Sequence, residues 1–180
     1  MRIVITGSPG TGKSVIAKLL AEKMNLELID IKKVVKENSL LEGIEVDIPK
    51  LKNALGFLDE KDDYVVEGHL ACEFEIPADF IFVLRADPEI LKKRFEERDY
   101  PNEKINENLM AEMLDYCVQR AEKYYDNVLE LDTSERTIEQ CVDEIQEAVK
   151  NNKKKLDNVD YSDYLSRTLE GKYEGREEAD

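Results

Sequence analysis

The sequence predicts an α/β fold, a doubly wound five-stranded parallel sheet with helices on both faces. Three observations predict it. Short β-branched or apolar runs alternate with segments of helical periodicity along the first 150 residues. A glycine-rich loop joins the first such run to the first helical segment. The chain has 180 residues, which at roughly 100 to 200 residues per domain is one compact unit with its own core.

Arg2 to Thr6 reads as the first strand, and Ile16, Leu19, Leu20 and Met24 then recur at helical spacing. Leu26 to Asp30 forms a second strand. Ile31 to Leu41 and Leu51 to Leu58 read as two short helices around a turn at Gly43. Tyr64 to Glu67 and Asp79 to Leu84 supply the third and fourth strands, the latter followed by a helix carrying Leu91 and Phe95. Ile105, Leu109, Met113, Cys117 and Tyr124 mark one long helix. Val128 to Leu131 is the fifth strand, and Ile138, Val142, Ile145 and Val149 define a closing helix. Strand and helix in alternation require parallel strands joined by crossovers. Residues 1–150 are therefore expected as the main domain and 151–180 as an acidic tail.

The 26 basic and 41 acidic residues give a net charge of -15. Such a field repels phosphate backbones and anionic lipid, which argues against a broad nucleic-acid surface or a membrane surface and favours basic protein partners. Any phosphate binding must be local. No apolar run approaches the ~20 residues of a membrane span, and no signal-peptide pattern opens the chain, so a cytoplasmic location is expected. Cys72, Cys117 and Cys141 are odd in number and widely spaced, as befits reduced thiols. With His69 the only histidine, a zinc site lacks ligands.

The most informative segment is Gly7-Ser8-Pro9-Gly10-Thr11-Gly12-Lys13-Ser14, a full match to G-x-x-x-x-G-K-[ST] between a strand and a helix. That motif points to a P-loop NTPase. Successive backbone N–H groups wrap a triphosphate and the helix N-terminus adds positive potential. Lys13 is expected to reach the β- and γ-phosphates, Ser14 to offer its hydroxyl to Mg²⁺, and Thr11 to add a contact at the loop. Glu67 and His69 lie at the end of a buried strand, where a doubly wound sheet has its crevice, and two residues apart they can both face it if the strand stays extended. An acid there can hold Mg²⁺ through water. A guanine-reading NKxD is absent from the sequence.

The P-loop, Val65-Val66-Glu67-Gly68-His69, Phe82-Val83-Leu84-Arg85-Ala86-Asp87, Arg98-Asp99-Tyr100, Glu103-Lys104-Ile105-Asn106-Glu107-Asn108 and Glu112 together resemble the adenylate kinase isoenzyme 6 family. This family, also called the coilin-interacting nuclear ATPase group, belongs to the P-loop nucleoside-monophosphate kinases, and the resemblance runs over about residues 1 to 149. It implies an adenylate kinase with ATPase activity that acts in small-ribosomal-subunit maturation, with a basic platform ribosomal protein as partner. The family pattern at the third strand is Asp-x-His, with the histidine orienting the attacking group or water. Glu67 stands here in place of the aspartate.

Arginine suits the charge that develops on a transferring phosphoryl group. Arg94 and Arg98 are four apart and expected on one helix face, with Arg98 just before Tyr100-Pro101-Asn102, which resembles a short lid over about 98–108. Arg85 stands at a strand end, where a catalytic and a structural role are equally open. Arg120 reads as a surface ion pair. The resemblance implies that residues of about 30–58 form the monophosphate-binding flap of these kinases, carrying Lys32, Lys33 and Lys36, with Lys36 near the place of the family's AMP-gripping arginine. The loop Asp132-Thr133-Ser134-Glu135-Arg136 resembles an adenine-contacting loop and also reads as an N-cap turn, which makes Thr133 and Ser134 ATP-binding candidates. In the tail, Tyr161, Tyr164, Leu165 and Leu169 read as an amphipathic turn or two stopped by Gly171.

The leading expectation is ATP:AMP phosphotransfer with Mg²⁺, with Lys13, His69, Arg94 and Arg98 catalytic and Ser14 and Glu67 at the metal. An ATP-driven assembly factor for a ribosomal protein and a small-metabolite kinase are the alternatives.

Overall fold

The computed structural model describes residues 1–43 and 45–177, and the side chains of 1–43 and 45–170. Five parallel strands form the central sheet: β1 (Arg2–Gly7), β2 (Glu27–Asp30), β5 (Tyr64–Glu67), β6 (Phe80–Arg85) and β7 (Val128–Asp132), in the order β2-β5-β1-β6-β7. A separate two-stranded ribbon, β3 (Leu41–Glu42) and β4 (Glu45–Val46), pairs antiparallel. The β1 strand is central, with Ile3 opposite Val65 of β5 on one side and Phe80 of β6 on the other. The loop that leaves it therefore opens in the middle of the sheet.

Period-2 alternation divides each strand between two cores. Ile3, Ile5, Val65, Phe82, Leu84 and Leu131 face α1 (Lys13–Met24) and α7 (Ile138–Lys150), whose Ile16, Leu20, Val142 and Ile145 are buried. Val4, Val66, Ile81 and Val83 face the other way. They pack with Ile31 and Val35 of α2 (Ile31–Glu37), Leu51 of α3 (Ile48–Ala54) and Cys117 of α6 (Tyr116–Ala121). Strands buried on both faces need apolar residues at every position, which is why these runs lack a polar side.

Several elements depart from the expectation. The helix predicted over Ile31 to Leu41 ends at Glu37, because Ser39 takes φ 51 and the chain turns into the β3–β4 ribbon. The helix predicted over Leu51 to Leu58 is α3 followed by a 3-10 turn over Gly56–Glu60. The single long helix of 105–124 is two, α5 (Asn102–Met113) and α6, broken where Asp115 takes φ 54. A side-chain reason accompanies the break: Asp115 Oδ1 accepts from Arg85 Nη2 at 2.5 Å.

The tail is built into the fold. Asp157 N donates to the Glu130 carbonyl at the edge of β7, and its carboxylate receives Asp132 N and the Arg136 guanidinium. Helix α8 (Ser162–Glu177) runs straight through Gly171, which does not stop it. Tyr161, Tyr164 and Leu165 cover a third core of Leu91 and Phe95 from α4 (Pro88–Glu96) with Ile105, Leu109 and Met113 from α5. The end of the expected acidic tail falls partly in α8, and residues 178–180 lie outside the described residues. Cys72, Cys117 and Cys141 are free and buried. Among the described residues no helix is long and apolar enough to cross a membrane.

Candidate functional site

The loop from Gly7 to Ser14 leaves the C-terminal end of β1 and enters α1. Gly7 sits at φ 135 with its Cα against β6, where a Cβ would stand 2.3 Å from the Leu84 carbonyl oxygen. Gly12 caps α1 at φ 91, and no side chain caps that helix end. The first-turn N–H groups thus lack an intrahelical partner and remain available to an anion.

Lys13 is buried, and its Nζ donates to the Ser8 carbonyl at 2.8 Å. Burial lowers the Lys13 pKa, while nearby acids such as Glu67 work against that. Thr11, expected to face a ligand, instead turns its hydroxyl into the loop and donates to the same carbonyl at 2.9 Å. Ser14 is exposed at the mouth, and its Oγ donates to Glu67 Oε1 at 3.0 Å. Glu67 ends β5 and is 5% exposed; burial raises its pKa, with the Ser14 hydrogen bond opposing. This hydroxyl and carboxylate form a hard oxygen donor set of the kind that suits Mg²⁺ with waters and phosphates completing its shell.

His69 does not continue β5, as two side chains on one extended strand would require. The strand ends before Gly68, and His69 opens a 3-10 turn over His69–Cys72. Its carbonyl accepts from Thr6 Oγ1 at 3.3 Å and its side chain is exposed at the crevice. Desolvation at the crevice wall and the Lys13 charge lower its pKa below 6.5.

The two arginines expected on one helix face part company. Arg94 lies on α4 and reaches the loop, its Nη1 donating to the Gly10 carbonyl at 2.9 Å and its Nη2 to the Thr133 carbonyl at 3.4 Å. Arg98 lies beyond the end of α4 at Glu96, exposed on the turn before Pro101 and α5. In that turn Tyr100 stacks on Phe95 at 5.2 Å between ring centres. Arg85 is 1% exposed and surrounded by acids: Glu112 at 2.8 Å, Asp115 at 2.5 Å and Glu130. Its role is structural. Arg120 pairs with Glu73.

Thr133 is buried, its hydroxyl 3.0 Å from the Thr11 carbonyl and 2.9 Å from that of Arg85, so it ties the loop after β7 to the P-loop. Ser134 accepts from Asp87 N at 2.7 Å. The N-cap of α7 is neither of them but Thr137, which makes a capping box with Gln140. Lys32, Lys33 and Lys36 are all exposed on α2. An open, acid-rich cleft of about 720 Å³ lies beside the β7 loop, between Asp87, Ser134, Arg136 and the Asp157 to Tyr161 segment.

Sequence reasoning did not assign Glu112 to the site, yet it is 2% exposed and bonded to Ser8 of the P-loop. The signal was its spacing, since Ile105, Leu109, Glu112 and Met113 share one helix face. A carboxylate on an apolar face needs buried partners.

Fold and site together define a nucleotide-binding α/β protein of the P-loop type, and residues 3–115 match the family described as AAA domain. A protein of Methanocaldococcus jannaschii named "Putative adenylate kinase" is 39% identical over 178 residues, covering 92% of this chain and 98% of that one. Its namesake from Thermococcus kodakarensis is 35% identical, covering 94% and 97%. The chain belongs to this family of nucleotide kinases. Among solved structures, shikimate kinase from Bacteroides thetaiotaomicron shares the fold, with a TM-score of 0.60 at 22% identity over 83% of this chain and 98% of that one.

Proposed function

We propose that the protein is an ATP:AMP phosphotransferase, an adenylate kinase with a Mg²⁺-dependent ATPase side activity. The observation that carries this reading is the Ser14–Glu67 pair beside Lys13, between the first turn of α1 and the end of β5, in a chain related over nearly its whole length to proteins named as adenylate kinases. Ser14 would hold Mg²⁺ directly and Glu67 through water, and the ion would neutralise phosphate charge. The chain's own work is positioning. Backbone N–H groups of the loop from Gly7 to Ser14, Pro9 having none, bind the β- and γ-phosphates. Lys13 leaves the Ser8 carbonyl to meet them, and Arg94 braces the loop at Gly10. Arg98 can swing from its exposed turn onto the transferring group. His69, neutral near pH 7, orients the attacking oxygen. Thr133 and Ser134 support the adenine side, and Lys36 faces the acceptor on the flap of 30–58.

A monophosphate acceptor brings its own nucleophilic oxygen, so little general-base help is needed. The test is an ATP turnover assay against a panel of nucleoside monophosphates with a no-acceptor control. AMP-dependent ADP formation well above the control is expected.

The ATPase reading gains support from the flap: its three lysines are point charges on an exposed face, without the bidentate fork that grips a phosphate tightly. Equal turnover with and without acceptor would make hydrolysis the main activity. An assembly role with a basic small-subunit ribosomal protein rests on the family resemblance and the net charge of -15. Its measurement is a pull-down with ATP, ADP or neither.

A further inference from the structure

Ser8, the second residue of the P-loop, is held from three directions. Its carbonyl accepts from Lys13 Nζ and Thr11 Oγ1. Its hydroxyl donates to Glu112 Oε2 at 2.5 Å, across 104 positions of sequence. The other oxygen of Glu112 accepts from Arg85 Nε at 2.8 Å and from Ala86 N at 3.2 Å. Both oxygens are thereby committed, and the one facing Ser8 cannot rotate away. Arg85 is fixed in turn by Asp115, Glu130 and the Glu112 carbonyl, and the Tyr161 ring lies 5.3 Å from its guanidinium.

We propose that Glu112 is a positioning residue for phosphoryl transfer, one that fixes the P-loop through the Ser8 hydroxyl so that the loop keeps its shape when Lys13 moves to the nucleotide. Without ATP, Lys13 is itself one of the clamps on Ser8. Phosphate binding draws that clamp away at the moment the loop must be most rigid, because donors aligned in advance cost no reorganisation during the reaction. The hydroxyl-to-carboxylate bond remains. Charge-assisted bonds of this type are about twice as strong as neutral ones, and this one is anchored on α5, outside the loop. Burying a carboxylate beside a phosphate site is unfavourable alone, and the Arg85 guanidinium offsets it.

The inference rests on the P-loop binding a nucleoside triphosphate, and its test reads ATP affinity by calorimetry without acceptor. The proteins are wild type, Glu112→Gln, Ser8→Ala and the double variant, each with its melting temperature. In Glu112→Gln the amide oxygen must serve Arg85 and Ala86, so the NH₂ group turns to Ser8, and the charge-assisted bond is replaced by a neutral one in which the hydroxyl accepts. Each single change should weaken ATP binding by about tenfold, and the double change by about the same tenfold, because both abolish the same charge-assisted bond. Additive losses near a hundredfold would overturn the coupling. So would a Glu112→Gln protein that melts lower yet binds ATP like wild type, the behaviour of a purely structural carboxylate. Should Glu112→Gln fail to fold, Ser8→Ala decides alone, since unchanged ATP affinity defeats the proposal and a tenfold loss upholds it. Wild-type protein that binds ATP without using any monophosphate would defeat the kinase reading while leaving this comparison valid.

Discussion

Lys13 and His69 are electrostatically linked across the crevice, since the Lys13 charge is among the forces that hold the imidazole neutral. Lys13→Ala should therefore have two effects. Phosphoryl transfer falls by about 100-fold or more, the worth of one preorganised charge contact, and the His69 midpoint rises back toward 6.5. The single histidine makes the second effect directly readable by proton NMR titration. A midpoint unmoved by Lys13→Ala would place the two groups too far apart to cooperate. In the wild type the lowered pKa has a stability consequence with a definite sign. The unfolded chain takes up the proton first as pH falls below 6.5, so the His69 contribution to stability is present above that pH and is lost on acidification toward the folded midpoint.

The β1–loop–α1 unit depends on close backbone approach at Gly7, where any side chain meets the Leu84 carbonyl at 2.3 Å. Gly7→Ala must push β1 from β6 or abandon φ 135, at a cost of about 2–4 kcal/mol. Urea unfolding measures this loss, and wild-type stability would contradict the packing of this strand pair. Elements with a local signal were legible in advance: β1 and β6 are unbroken β-branched or apolar runs, and α7 carries apolar positions at period 3.6. The break between α5 and α6 was not. Residues 105 to 124 keep their helical periodicity through Asp115, and only its pairing with Arg85 of β6 gives that residue a reason to leave the helix.

Residues 157–170 close the molecule by crossing the edge of β7 and covering Leu91, Phe95, Ile105, Leu109 and Met113. Removing the chain after Leu156 uncovers these side chains and strips Asp157 from Arg136. The half-buried Tyr161, Tyr164 and Leu165 contribute about 3 kcal/mol together, which at about 2–4 °C per kcal/mol lowers Tm by roughly 6–12 °C. Differential scanning calorimetry of the truncated protein checks this, and a truncated form that melts with the full chain would reduce the segment to an appendage.

The five strands, the crevice at their C-terminal ends and the Lys13–Ser14 end of the P-loop could be read from residues 1–150 alone, because strand periodicity and a loop motif are properties of neighbours in sequence. Family resemblance added the adenylate kinase reading, borne out at the level of a nucleotide kinase by its relatives. The braces of the site were decided by tertiary contact. Arg94 reaches the loop across 84 positions, Glu112 holds Ser8 across 104, and Thr133 meets Thr11 across 122. Helical spacing made Arg94 and Arg98 equivalent, and the end of α4 at Glu96 separated them. Arg85 stood at a strand end where catalysis was equally open, and three carboxylates from α5, β7 and the Asp115 turn consumed its charge. A side chain's type is fixed in the sequence, but its role depends on which distant groups satisfy it, and burial forces every charge to find such groups.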